Sequence, residues 1–343
     1  MRHSILPLLL GLVVTQVARS QETSPGEIAT LKLGDRQGAA RLVAFSPDGR
    51  LLATAGVNCD IRIWDVTTAR RLYTLKGHSA SAITFSPDGK LLASAETRSG
   101  VLLWDVQSGK QQRKLEVPRD RGWFQQIYCL AFRLDGKTLV AAGSATILPD
   151  ARMELCTALI SWDAGTGKMI EFDELDKVDT NWLWLSADGG TVAYFASTER
   201  KFFLRVRDLA NKKKFEFDLS SLDKNKHAAA LSPDGKVAAI GDKLWDVTTG
   251  KQLVTLGRES FDTISYLSFS PDGKFVAAVG MSKRISRSGK NATIGLYKVK
   301  TGDVVFAFNA HKGEVYSLAI TRNGQTMASV SDDKTLKLWD LDP

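Results

Sequence analysis

Few side chains in this sequence have both the type and the spacing that chemistry requires. Beyond residue 20 there are three histidines, His78, His227 and His311. His311 with Asp333 is a pair that could act as a base and its orienting acid. His227, in the polar run Lys224-Asn225-Lys226-His227, reads as a surface residue. The run Glu171-Phe172-Asp173-Glu174-Leu175-Asp176 gathers carboxylates of the kind that can hydrolyse glycosides. Its position suggests instead a solvated acidic loop leaving a strand. Histidine is too scarce and cysteine too scattered for a zinc set, and no metal or cofactor is expected. No nucleophile elbow, phosphate-binding loop or HExxH helix is present. Asn291-Ala292-Thr293 matches a glycosylation sequon, a pattern common by chance.

The three cysteines are Cys59, Cys129 and Cys156. Cys129 and Cys156 are expected on strands separated by one other strand, roughly 9–10 Å apart. A disulfide needs Cα atoms within about 7 Å, so buried free thiols are the expectation.

Of the 343 residues, 43% are hydrophobic and 24% charged, the composition of an ordinary globular chain. The net charge of +8 permits weak attraction to anionic polymers or surfaces without naming a partner. No nucleic-acid reader motif accompanies it, and no nucleic-acid partner is expected. Residues 1–20 read as a segment apart from the fold. Arg2 and His3 give a polar start, Ile5 to Val14 is an apolar run too short to span a bilayer, and Ala18-Arg19-Ser20 puts small residues before a cut at Gln21. The expectation is a cleaved signal peptide and a secreted or periplasmic protein with no membrane span. An uncleaved anchor is the alternative. Residues 21–26 read as a polar linker.

What must position any of these side chains is a repeated hairpin. Ser86-Pro87-Asp88-Gly89 is a turn with a mechanism: proline presets φ, aspartate bonds nearby backbone, and glycine accepts positive φ. The turn glycine recurs at Gly49, Gly89, Gly136, Gly189, Gly235, Gly273 and Gly324, at intervals of 40, 47, 53, 46, 38 and 51 residues. Each turn is followed by Trp-Asp or a substitute: Trp64-Asp65, Trp104-Asp105, Trp162-Asp163, Arg207-Asp208, Trp245-Asp246, Tyr297-Lys298 and Trp339-Asp340. A second glycine stands five residues after the aromatic at Gly109, Gly167, Gly250 and Gly302. Ala69 replaces it in unit one, and Asn211, one residue early, in unit four.

Units of this length with Gly-His and Trp-Asp marks resemble the WD-repeat propellers. The resemblance covers residues 27–343 and implies an all-β, seven-bladed β-propeller of four-stranded antiparallel blades. It also implies that the lone N-terminal run Ile28 to Leu33 completes the last blade, whose other three strands come from the C-terminus. That closure removes a sheet edge. Within such blades the family forms a hydrogen-bonded set. Matched position by position, unit seven supplies His311, Ser329, Asp333 and Trp339. Unit two offers His78, Ser94 and Trp104, with Arg98 where the aspartate belongs.

The function the resemblance implies is a non-catalytic protein-interaction scaffold, here acting outside the cytoplasm as a monomeric propeller. The alternatives are an exported hydrolase or lyase working at the central channel, and a binder of an anionic glycan. The family places blade-to-blade connections, and those between second and third strands, on one face. The unusually long ones, 117–126, 144–155, 173–181 and 281–292, all belong to it. Arg119, Arg121, Trp123 and Phe124 there combine charge with aromatic area, and Lys283, Arg284 and Arg287 form a basic rim.

Overall fold

Apolar residues with period two, interrupted by tetrapeptides that favour turns, make strands and nothing else. A computed structural model of the chain describes residues 25–33, 40–56, 59–76, 79–96, 100–117, 123–147, 154–177, 183–197, 201–219, 228–257, 261–281 and 291–342. The chain opens with β1 (Gly26–Lys32). Blade 1 is β2 (Leu42–Phe45), β3 (Leu51–Gly56), β4 (Cys59–Asp65) and β5 (Arg70–Leu75). Blade 2 is β6 (Ala80–Phe85), β7 (Leu91–Glu96), β8 (Gly100–Asp105) and β9 (Gln111–Leu115). Blade 3 is longer: β10 (Trp123–Phe132), β11 (Thr138–Ile147), β12 (Glu154–Asp163) and β13 (Met169–Asp176). Blade 4 is β14 (Leu183–Leu185), β15 (Thr191–Ser197), β16 (Phe202–Asp208) and β17 (Lys214–Asp218). Blade 5 is β18 (Ala229–Leu231), β19 (Val237–Ile240), β20 (Lys243–Asp246) and β21 (Gln252–Thr255), with only Gly241 and Asp242 between its middle strands. Blade 6 is β22 (Thr263–Phe269), β23 (Phe275–Met281), β24 (Ala292–Lys298) and β25 (Val304–His311). The C-terminus adds β26 (Val315–Ile320), β27 (Thr326–Ser331) and β28 (Thr335–Asp340).

Blades 1 to 6 are antiparallel meanders in chain order, whereas the seventh sheet runs β26-β27-β28-β1. The N-terminal strand therefore completes the blade begun at the C-terminus, as the repeat pattern predicted. Its register places Thr30 against Lys337 and Leu31 against Leu336. Glu27 and Lys337 form an ion pair across the seam at 2.8 Å. The first strands β2, β6, β10, β14, β18, β22 and β26 each pack against the next, and β26 returns to β2. The ring is closed, and these seven strands surround its axis.

The core lies between blades. Middle strands are covered on both faces, so they read as near-continuous apolar runs, Leu51-Leu52-Ala53 in β3 and Leu91-Leu92-Ala93 in β7. Between blades 1 and 2, Ile61, Ile63 and Leu75 meet Phe85, Leu92 and Trp104. Between blades 7 and 1, Leu33, Val330 and Leu336 meet Leu52 and Trp64. A large-to-alanine change at such a site typically costs about 2–5 kcal/mol.

Three expectations from the sequence are revised. The carboxylate run 171–176 is not a solvated loop: it is most of β13, the outer strand of blade 3. Phe172 and Leu175 are the reason, because one packs on the blade 2–3 core and the other is buried between blades 3 and 4. The segments 117–126 and 144–155 are partly strand. β11 and β12 pair without a break from Thr138↔Asp163 to Ile147↔Glu154, since nothing in Gly143-Ser144-Ala145-Thr146-Ile147 forces a turn. Finally, the glycine position of unit four is held by Lys212, not Asn211. Lys212 has φ 57° and Ala69 has φ 53°, alongside Gly109 at 66° and Gly167 at 77°. The Asn211 side chain instead bonds the Asp208 carboxylate at 2.8 Å.

Candidate binding surfaces

Strand order gives the ring two different faces. The turns after each first strand, and those after each third strand, share one face. The remaining connections share the other.

On the turn face each hairpin is locked by its own side chains. In blade 1, Ser46 Oγ donates to Asp48 Oδ1 at 2.6 Å and accepts the Leu51 N–H at 2.9 Å. The Arg50 N–H donates to Asp48 Oδ1 at 3.1 Å, and Gly49 turns the chain at φ 72°. Ser86-Asp88, Ser232-Asp234 and Ser270-Asp272 repeat this, and Thr321-Asn323 does so with an amide. The Ser46 bond holds the Asp48 carboxyl below its ordinary range, as the Ser86 bond does for Asp88. The third-strand turns work alike, with Asp65 accepting from Thr68 and Asp163 from Thr166.

The turns converge on the axis. Their second residues, Pro47, Pro87, Leu134, Ala187, Pro233, Pro271 and Arg322, ring the mouth of a cavity of about 420 Å³. Phe45, Phe85, Phe132 and Ile320 line it from the ends of the first strands. Asp188 and Asp234 line one side, and Arg322 of blade 7 lies across the ring. The Asp188 N–H reaches Pro233 O at 3.4 Å, which holds the turns of blades 4 and 5 together. Length of connection had pointed to the other face. The sequence did carry a signal for this one: six of seven second turn positions are apolar.

On the opposite face, blade 3 rises above its neighbours. β11 has ten residues where β7 of blade 2 has six and β15 of blade 4 has seven, an excess worth roughly 10–13 Å at about 3.3 Å per residue. The extra length carries two exposed apolar residues, Trp123 at 36% and Leu155 at 51%. Trp123 pairs with Thr146 and Thr146 with Leu155, so all three side chains share one face of the sheet. Gln125 Nε2 donates to Thr146 Oγ1 at 2.9 Å and steadies the row. Phe124 points the other way. It is 5% exposed and meets Phe172 edge-on at 6.3 Å, so it anchors the blade rather than offering a surface. Arg119, Arg121, Lys283, Arg284 and Arg287, the basic positions expected on this face, lie outside the described residues. So do His78, Arg98 and residues 1–20. A smaller cavity of about 220 Å³ between blades 6 and 7 is lined by Ser265, Met281 and Glu314 among others.

The polar set of blade 7 is assembled as the repeat implied. Trp339 Nε1 donates to Ser329 Oγ at 2.9 Å, and Ser329 Oγ lies 2.7 Å from His311 Nε2. His311 Nδ1 lies 3.0 Å from Asp333 Oδ2. Burial pushes the His311 imidazole below its ordinary value, against the opposing pull of Asp333. The neutral ring thus donates from Nδ1 to the carboxylate and accepts from the Ser329 hydroxyl at Nε2, and every proton has a place. His311 is 3% and Ser329 0% exposed, so the set has no access to a substrate. It is a brace. Blade 1 keeps half of it, Trp64 Nε1 to Thr54 Oγ1 at 2.9 Å, and blade 2 has Trp104 Nε1 to Ser94 Oγ at 2.8 Å.

In blade 4, where Arg207 replaces the tryptophan, charge takes over. Arg207 is nearly buried, and its Nη2 lies 2.7 Å from Asp173 Oδ2 of blade 3. Arg205 pairs with Asp176 and, at 2.7 Å, with Glu216. The β13 carboxylates therefore stitch two blades together. Cys59 and Cys156 are buried and Cys129 half-buried, and none of the three is in a disulfide. Burial raises the Cys129 thiol far above its usual range. Among the described residues no cluster of His, Cys, Asp and Glu could hold a metal ion, and no helix is long and apolar enough to cross a membrane.

The comparisons agree with this geometry. The family profile "WD domain, G-beta repeat" matches residues 37–65, 69–105 and 302–340, which fall in blades 1, 2, 6 and 7. The chain is 37% identical over 101 residues to WD repeat and SOCS box-containing protein 1 of Danio rerio, a stretch covering 29% of this chain and 22% of that protein. The Mus musculus protein of the same name is 30% identical over 101 residues, with the same shares. Transducin beta-like protein 2 of Homo sapiens is 29% identical over 174 residues, 47% of this chain and 35% of that one. The matches thus span about a fifth to a third of these relatives' own lengths. Seven closed blades, Trp-Asp on the third strands of five of them and these matches describe a propeller of the WD-repeat type, with WD repeats at the matched residues.

Proposed function

We propose that this protein is a non-catalytic interaction scaffold that binds a protein partner on the loop face, and that it works outside the cytoplasm. The observation that carries the binding site is the raised edge of blade 3. There Trp123 and Leu155 stand in solvent, side by side across Thr146, on a sheet braced from behind by Phe124 and Phe172. A rigid aromatic beside an aliphatic residue is the composition of an interface anchor, because it buries apolar area at little entropic cost. The WD-repeat relatives support the scaffold reading, since proteins of this type are typically interaction platforms. Arg119 and Arg121, just before Trp123 in the sequence, and the basic run Lys283, Arg284 and Arg287 of another long connection favour a partner with acidic groups.

The test is quantitative affinity capture from the native host with wild-type protein and the Trp123→Ala/Leu155→Ser variant. A partner held by wild type and lost from the variant supports the site; a partner list unchanged between the two overturns it. Export rests on the polar start, short apolar run and small-residue cleavage pattern of residues 1–20. Mass analysis of the mature chain, with Gln21 as its expected first residue, tests it; a chain that retains Met1 and stays in the cytoplasm would contradict it.

A further inference from the structure

The cup on the turn face is a site of a different kind, on the side of the ring that the loop-face reading leaves unused. We propose that it takes an apolar side chain, followed by a lysine or arginine, presented by an extended segment of a protein partner. Three observations carry this.

The first is size and lining. About 420 Å³, floored by Phe45, Phe85 and Ile320, suits one large side chain rather than a whole helix. The second is departure from the repeat. Blade 3 puts Leu134 where four other turns have proline, and that leucine is 79% exposed, the most exposed large apolar residue described. An apolar side chain held in solvent at the rim of an apolar cup adds to the surface a ligand can cover.

The third is charge. In five turns the aspartate has a cation two residues later: Arg50, Lys90, Lys137, Lys236 and Lys274. In blade 4 the corresponding residue is Gly190, so the Asp188 carboxylate lacks that neighbour. Asp188 Oδ1 is used by Ser186 Oγ and the Gly190 N–H, which fixes the carboxylate on the cup wall. Asp234 stands beside it, paired with Lys236 at 3.8 Å, and Arg322 lies opposite. The cup therefore has an acidic side and a basic side. A segment entering with its apolar residue in the centre sets a following cation against Asp188, and turns a backbone carbonyl toward Arg322.

The probes are the capped peptides acetyl-Gly-Trp-Lys-Gly-amide and acetyl-Gly-Trp-Glu-Gly-amide, titrated into the full chain with methyl NMR as readout. The lysine peptide is expected to shift the Leu134, Ala187 and Ile320 methyl signals and to bind more tightly than the glutamate peptide. Asp188→Asn should narrow that preference by about two- to fivefold, the worth of a partly exposed charge pair. Ala187→Trp, an exposed turn position, should fill the cup and remove the shifts. If that variant does not fold, Leu134→Lys, which removes the apolar rim residue and repels the lysine peptide, serves in its place. No shifts, shifts elsewhere, equal binding of the two peptides, or shifts that survive both cup variants would overturn the proposal. Trp123→Ala should leave every one of these readings unchanged, so failure here is distinct from failure of the loop-face site.

Discussion

His311, Ser329 and Asp333 have the residue types of a hydrolytic triad and none of its access. The same burial that closes them to substrate sets their pH behaviour. The folded imidazole is held neutral, with its pKa below the ordinary 6.5. As pH falls below about 6.5 the unfolded chain takes up a proton that the folded chain refuses, so stability drops between that value and the folded pKa. The His311→Gln variant should lose this limb of the pH–stability curve, measured by thermal unfolding across the acid range. A later loss belongs to the turn aspartates: Asp48 and Asp88 titrate below their ordinary 3.8 when folded, so their contribution is present above it and fades at lower pH. A second residue-scale expectation concerns φ. Lys212 and Ala69 sit where a side chain strains the backbone. Lys212→Gly and Ala69→Gly should each stabilise by about 0.5–1 kcal/mol in denaturant unfolding, the left-handed strain relieved less the entropy that glycine adds to the unfolded chain.

At the scale of elements, β13 and β16 show one solution replaced by another. Most blades place an aromatic at the third-strand position, and blade 4 places Arg207, which reaches Asp173 in the neighbouring blade. Removing one partner strands the other in a low-dielectric seam. Arg207→Leu should therefore cost about 2–3 kcal/mol, while Arg207→Leu with Asp173→Leu should recover most of it. A double mutant as unstable as the sum of the two singles would show that the pair is not coupled. The register of β10, β11 and β12 belongs to the same scale. Trp123 and Phe124, adjacent in β10, face opposite sides of the sheet, Phe124 toward blade 2. The strand has two bulges, between Phe124 and Gln126 and between Ile127 and Cys129, and the first puts Ile127 on the same face as Phe124.

For the whole molecule the seam between β1 and β28 decides integrity. Without residues 27–35 the last blade would expose the edge of β28, and the Leu33–Leu52–Trp64 core between blades 7 and 1 would lose one wall. The truncated chain should aggregate or unfold without a cooperative transition, by light scattering and calorimetry. A melting curve identical to wild type would contradict closure by this strand.

Seven turns, their spacing and the apolar middle strands were legible in the chain itself, because each depends on residues only a few positions apart. Ser46, Asp48 and Gly49 close a turn with their own hydrogen bonds wherever the rest of the chain lies. The solitary N-terminal strand and the missing C-terminal one likewise announced the seam. The cup, the Arg207–Asp173 bridge and the outward tryptophan with its inward neighbour were decided by tertiary structure. Pro47 and Pro233 share a rim, and Asp173 meets Arg207, only after the ring closes. Contacts between residues so distant in the chain follow from blade geometry and strand register, which no local window of sequence contains.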